Sequence, residues 1–192
     1  MSLFITKNHL LDAFKTPMVT ADESITKLTP AAVLVPIIED PQELLMLFTE
    51  RTTHLKHHPG QISFPGGGRE KEDRDLIDTA LRETMEEIGL QSTQINIIGS
   101  LNPVVSSTGF LVTPFIALLT PPLDLQLDTS EVASIFTAPL NFVLDRRQQK
   151  EELFLHAGQQ RKIYAVNYQN YRIWGMTAQI LVNLTDKLIP PL

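Results

Sequence analysis

Three carboxylates at helical spacing, Glu83, Glu86 and Glu87, follow Arg82 in the stretch ALRETMEEIGL. A helix advances about 100° per residue, which gathers them within an arc of about 100° and leaves Ile77, Leu81, Thr84 and Ile88 opposite. One face of this helix is suited to burial and the other is negative. Like charges three and four residues apart cost about 0.2–0.5 kcal/mol per pair, so a positive partner is expected. A hard divalent cation, Mg2+ or Mn2+, suits carboxylate oxygens and can link them to the phosphates of a substrate. Arg82 lies one turn before Glu86 and is spaced to hold it, leaving Glu83 and Glu87 as direct ligands with Glu86 contributing or orienting.

A bare Glu-x-x-Glu-Glu is also the pattern of a solvated acidic helix face, so the flanking residues decide the matter. Upstream stands a glycine turn, FPGGG at 64–68, and the acids end at Gly89-Leu90. This arrangement resembles the Nudix box, in which Arg82, Glu83, Glu86, Glu87, Gly89 and Leu90 match the second half position by position. There are two departures. Thr84 replaces an apolar residue, and counting back from Arg82 places Arg74 where the box has its first acid. An extra residue in the turn accounts for the offset and leaves Asp73 or Glu70 as that acid.

Residues 47–67, LFTERTTHLKHHPGQISFPGG, carry a second pattern. It is similar to the signature of the coenzyme A pyrophosphatase branch of the Nudix family, matched by Leu47, Thr49, Arg51, Gly60, Phe64, Pro65, Gly66 and Gly67. Lys56 stands where that signature prefers arginine, keeping the charge but losing the bidentate fork. Thr52 stands where it prefers Ser or Ala.

The resemblance implies a divalent-metal-dependent hydrolase that splits coenzyme A or its derivatives into 4'-phosphopantetheine and adenosine 3',5'-bisphosphate. It implies Arg51 and Lys56 on phosphates with His57 or His58 assisting, Gly66 and Gly67 lining the substrate, and Arg82 with Glu86 in the catalytic group. A cation at Glu83, Glu86 and Glu87 neutralises charge on the pyrophosphate and acidifies a water for in-line attack. Glu83 and Glu131 are the candidate general bases, and Glu131 could instead be a further metal ligand. A homodimer is compatible with the resemblance. Two other readings remain: a Nudix pyrophosphatase for ADP-ribose, a dinucleotide or a nucleoside triphosphate, and a nucleotide sensor of the same fold.

Composition bounds the setting for this chemistry. The chain has 192 residues, 43% apolar and 20% charged, which suits one soluble domain, 1–192. A net charge of -6 argues against a nucleic-acid surface, although Arg51, His54, Lys56, His57 and His58 form a local basic cluster. No apolar run is long enough to span a bilayer, so no membrane partner is expected. There is no cysteine, no signal-peptide pattern at the first residues and no peroxisomal address at the last, from which a cytoplasmic location is expected.

The elements that must position the carboxylates follow from periodicity. A short helix is expected at 8–15, a strand buried on both faces at 31–38 with Pro36 marking a bulge or edge, and a hairpin partner at 44–49. Further strands are expected at 61–64, 94–101, 112–119, 123–127, 162–166 and 171–174, with a hairpin half at 150–158. A small-residue loop at 103–109 could lie near the site. Short and long helices are expected at 139–144 and 177–187. The class is α/β or α+β, and the resemblance sharpens it to an α/β/α sandwich around a mixed β-sheet.

Overall fold

A computed structural model describes residues 4–15, 27–55, 58–156 and 159–190. The described residues form two sheets with helices packed on them. The larger sheet contains β1 (Thr29–Glu39), β2 (Leu44–Arg51), β3 (Ile62–Ser63), β4 (Gly66–Gly68), β5 (Ile95–Ser100), β6 (Val104–Val105), β7 (Phe110–Leu119) and β8 (Val132–Pro139). Its main order is β3-β2-β1-β7-β5, with β4 on β1, β6 on β7 and β8 on β2. The smaller sheet, β11-β10-β9, is built from β9 (Lys150–His156), β10 (Gln159–Tyr168) and β11 (Tyr171–Trp174).

β1 is the spine. Its side chains alternate between two cores: Ala31, Val33, Val35 and Ile37 join one cluster, while Ala32 and Leu34 join the other. This is the doubly buried strand that the apolar run at 31–38 implies. The first cluster lies beneath α1 (Lys7–Ala13) and α4 (Met176–Leu188), through Leu10, Ile180, Leu181 and Leu184. The second lies beneath α2 (Leu76–Ile88), through Leu76 and Ala80. Helices therefore cover both faces of a mixed sheet, with β1 and β7 parallel from Thr29 opposite Phe110 to Ile38 opposite Leu119. A short α3 (Leu140–Val143) follows β8.

Pro36 sits within this central strand, not at an edge. The Leu34 N–H donates to the Pro65 carbonyl at 2.9 Å, on the side where β1 pairs first with β4 and then with β2. Residues two apart point the same way, so Pro36 falls in the interval between those pairings, where the missing donor costs no ladder bond.

Residues 123–127 form no strand, contrary to the Leu-Asp-Leu-Gln-Leu alternation. The alternation reports burial alone: Leu123 and Leu125 pack against Ile88 and Leu90, while the Gln126 N–H donates to the Ile88 carbonyl at 2.8 Å. The segment thus finishes α2 instead of extending a sheet. At the other end of α2, Asp75 accepts from the N–H groups of Ile77 and Asp78, both at 2.9 Å, a cap of about 1 kcal/mol. Gly89 terminates the helix with φ of 73°, a left-handed conformation that favours glycine.

Loop 106–109 is the turn of the β6–β7 hairpin, closed by Ser106 N–H donating to the Phe110 carbonyl at 2.8 Å. Among the described residues, no helix is long and apolar enough to cross a membrane.

Candidate active site

The negative face of α2 is not solvated as a whole. Glu87 is 4% exposed and belongs to the buried stripe with Leu76, Ala80, Thr84 and Ile88, whereas Ile77 and Leu81 are only half-buried. Glu83 is partly covered and Glu86 lies open to solvent. The stripe is rotated toward the acids because the glycine strand β4 packs on that flank.

The glycines make this approach feasible. A Cβ on Gly67 would stand 2.5 Å from Glu83 Oε1, so the absent side chain is the space the carboxylate occupies. Gly66 has φ of 151° and would place a Cβ 2.3 Å from the Ala32 carbonyl oxygen. Its N–H donates to Glu87 Oε2 at 3.3 Å. Gly66 and Gly67 therefore touch the two carboxylates directly, an association that sequence spacing alone did not contain.

Arg82 organises the outer half. Its Nε and Nη2 donate to the two oxygens of Asp73, at 3.0 and 3.1 Å, and Nη2 also donates to the Gly68 carbonyl at 3.0 Å. Its Nη1 donates to Glu83 Oε1 at 3.0 Å and to Glu86 Oε2 at 2.9 Å. The expected Arg82–Glu86 pairing is present. Arg82 also holds Glu83, which spacing did not reveal because adjacent residues on a helix do not face each other.

The ambiguity over the first acid of the box is resolved in favour of Asp73. It is buried and accepts from Arg82, from Thr79 Oγ1 at 2.9 Å and from the Glu70 N–H at 2.9 Å. The Arg82 guanidinium holds the Asp73 carboxyl well below the usual aspartate range, while Asp73 raises Arg82 in turn. Glu70 is exposed and reaches Arg82 only at 4.0 Å.

Arg51 enters from β2. Leu47 of the same strand packs with Ile88 against the α2 side, and a period of two carries Thr49 and Arg51 to that face. Arg51 Nη1 lies 3.6 Å from Glu87 Oε1. The β2–β8 register shifts between Glu50 and Arg51, the irregularity that often accompanies a site at a strand end. Across that shift, the Thr52 N–H donates to the Glu131 carbonyl at 2.9 Å, which brings Glu131 to the same corner.

Burial is the main influence on the inner carboxylates. It pushes the Glu87 carboxyl up to about 8, against the lowering effect of Arg51, and the charges of Glu83 and Glu131 push in the same direction as burial. Burial raises Glu83 as well, partly offset by Arg82, with Glu86 and Glu131 adding repulsion. Glu83, Glu87 and Glu131 thus feel one another's charge.

Lys56 and His57 lie outside the described residues. His58 is exposed and its Nδ1 is 2.9 Å from Gln61 Oε1, within the turn that leads into β3.

Among the described residues, no three His, Cys, Asp or Glu side chains converge closely enough to hold an ion as they stand. The reason is visible in the pairing: Glu86 is turned to Arg82, Glu83 shares that guanidinium, and Glu87 is paired with Arg51. The donor set nonetheless fits a hard cation. It consists of carboxylate oxygens, two of them destabilised in their charged form by burial and mutual repulsion, which a cation would relieve.

Comparison with known proteins agrees with this geometry. A family model described as the NUDIX domain matches residues 28–157. An uncharacterized Nudix hydrolase, NudL, of Photorhabdus laumondii is 41% identical over 158 residues, 82% of this chain and 84% of that protein. Its namesake in Salmonella newport is 36% identical over 180 residues, covering 94% and 93%. Among solved structures, a C. elegans Ap4A hydrolase in a binary complex superposes with a TM-score of 0.51 at 23% identity, over 57% of this chain and 80% of that one. A Nudix hydrolase from M. smegmatis, RenU, gives 0.50 at 21%, over 59% and 71%. Those two likenesses bear on the fold alone. From the box residues, the layered fold and relatives that match most of its length, the chain belongs to the Nudix hydrolase family.

Proposed function

We propose that the protein is a divalent-metal-dependent pyrophosphatase acting on coenzyme A or its derivatives, yielding 4'-phosphopantetheine and adenosine 3',5'-bisphosphate. The observation that carries this reading is the placement of Arg51. The described residues of the segment that resembles the coenzyme A signature, 47–67, include parts of β2, β3 and β4, and they bring Arg51 and Gly66 to Glu87 and Gly67 to Glu83.

Glu83 and Glu87 would hold Mg2+ or Mn2+, with Glu86 orienting through Arg82. When bound, the cation supplies charge neutralisation at the pyrophosphate and a more acidic water. Arg51, paired with Glu87 at 3.6 Å, would be available to a phosphate oxygen where Glu87 holds the cation. Lys56 and His57, five and six residues after Arg51 in the sequence, are the further basic groups assigned to the remaining phosphates. Glu131 takes the proton of the attacking water. The new P–O bond forms as the P–O–P bridge breaks, and the second phosphate leaves with the bridging oxygen.

Glu131 is preferred to Glu83 as the base because Arg82 already engages Glu83 Oε1 and Gly67 confines the carboxylate, whereas Glu131 stands on the exposed lip. The test is a panel of substrates assayed singly with Mg2+ and with Mn2+. Coenzyme A is expected to have the highest kcat/KM, and Arg51→Gln to raise its KM. Equal or faster turnover of ADP-ribose or NADH would reject this assignment in favour of another nucleoside diphosphate derivative.

A further inference from the structure

Glu131 is exposed on a loop, yet its role demands a fixed position relative to α2. Two residues outside the box tie that loop down. Thr52 is buried, 6% exposed, at the point where the β2–β8 ladder loses register. Its N–H donates to the Glu131 carbonyl at 2.9 Å and its hydroxyl donates to the Ser130 carbonyl at 3.2 Å. These two bonds clasp the loop to the residue immediately after Arg51.

Asp128 fastens the other side. Its N–H donates to the carbonyl of Glu87 at 3.0 Å, so it is attached to the main chain of a carboxylate residue of the site itself. Its side chain accepts from Ser130 N–H at 2.9 Å and from Ser130 Oγ at 2.7 Å, and its carbonyl accepts from Glu131 N–H at 3.0 Å. A continuous set of hydrogen bonds therefore runs from Glu87 through Asp128 and Ser130 to Thr52, with Glu131 held between them.

We propose that Thr52 and Asp128 are positioning residues for hydrolysis, acting through Glu131 by fixing the main chain that carries its carboxylate against α2 and β2. The inference rests on the assignment of Glu131 as the base. Neither side chain needs to touch substrate. Asp128 is on the surface and Thr52 spends its hydroxyl on a carbonyl, so their effect falls on geometry, to which catalytic rate is sensitive at the scale of an ångström.

The test is a double-mutant cycle on the full chain with Mg2+, using whichever of coenzyme A, ADP-ribose and NADH the wild type turns over fastest. Thr52→Val and Asp128→Ala are each expected to lower kcat about tenfold with KM changed by less than about twofold. Thr52→Ser, which keeps the hydroxyl, is expected to restore most of the rate. In a Glu131→Gln background both changes should cost nothing further, because the group they position is already disabled. Thermal melts of each variant report folding separately, and Asp128→Ala alters an exposed side chain.

Unchanged kcat in both variants, or the same tenfold loss with and without Glu131, would overturn the positioning role. Wild-type kcat in Glu131→Gln alone would instead overturn the base assignment beneath it.

Discussion

Glu87 is a carboxyl group placed where water barely reaches it, and its proton affinity follows from that. Burial raises it to about 8, while an unfolded glutamate titrates at about 4.3. Folding therefore takes up a proton between those values. The stability associated with neutral Glu87 is complete below the unfolded value and is lost as pH rises through about 8. In the metal-free protein, Glu87→Gln should abolish that slope: denaturant midpoints of wild type should fall from pH 5 to pH 8 relative to those of the variant. The same substitution should remove metal-dependent turnover while leaving the far-UV circular dichroism intact. Parallel midpoints across that pH range would contradict the buried placement. At this scale the sequence was informative about the Arg82–Glu86 pair and about a helix bearing Glu83, Glu86 and Glu87, because helical spacing sets both. It was silent on the Arg51–Glu87 contact and undecided between Asp73 and Glu70, since both depend on how a strand and a turn fold back on the helix.

Elements set what each glycine of the turn does, and the two neighbours make a contrast. An alanine at Gly66 meets backbone, the Ala32 carbonyl and the Val33 Cα, from a conformation that side chains rarely adopt. Gly66→Ala should therefore destabilise the fold by about 1–3 kcal/mol, read as a lower denaturant midpoint. An alanine at Gly67 first meets the carboxylate end of Glu83, which can swing away. Gly67→Ala should keep a near-native midpoint but weaken Mn2+ binding and cut kcat at least about tenfold, measured by calorimetric titration and initial rates. Loss of stability in Gly67→Ala with catalysis preserved would reverse the assignment. Strands β1 and β2 and helix α4 were legible from period, within a residue or two at their ends, and for α2 the stop at Gly89 was legible as well. The segment 123–127 was not: Leu123 and Leu125 are half-buried but Leu127 is exposed, and the Gln126 N–H bonds to the end of α2 and not to a strand. Period reports which face is wet, and only the partner decides whether a ladder forms.

Across the whole molecule, the site is a meeting of three distant pieces of chain: the carboxylate helix, the basic strand end with its glycine turn, and the loop that carries Glu131. The parallel pairing of β1 with β7 makes their meeting possible, since it sets β4 and β2 on one flank of β1 and leaves α2 above them. No local pattern announces a parallel partner so far along the chain, which is why the sandwich could be inferred only through family resemblance. The carboxylate helix α2 and the glycine and arginine segment of β2 to β4 nevertheless come together as one unit, and in the proposed division of labour α2 binds the metal and β2 to β4 contact the substrate. That division makes one competition assay decisive: an equimolar mixture of coenzyme A, ADP-ribose and NADH, incubated with the protein and Mg2+, with products identified by mass. The expected dominant products are 4'-phosphopantetheine and adenosine 3',5'-bisphosphate, absent with Glu87→Gln. Predominance of AMP with ribose 5-phosphate or reduced nicotinamide mononucleotide would contradict it.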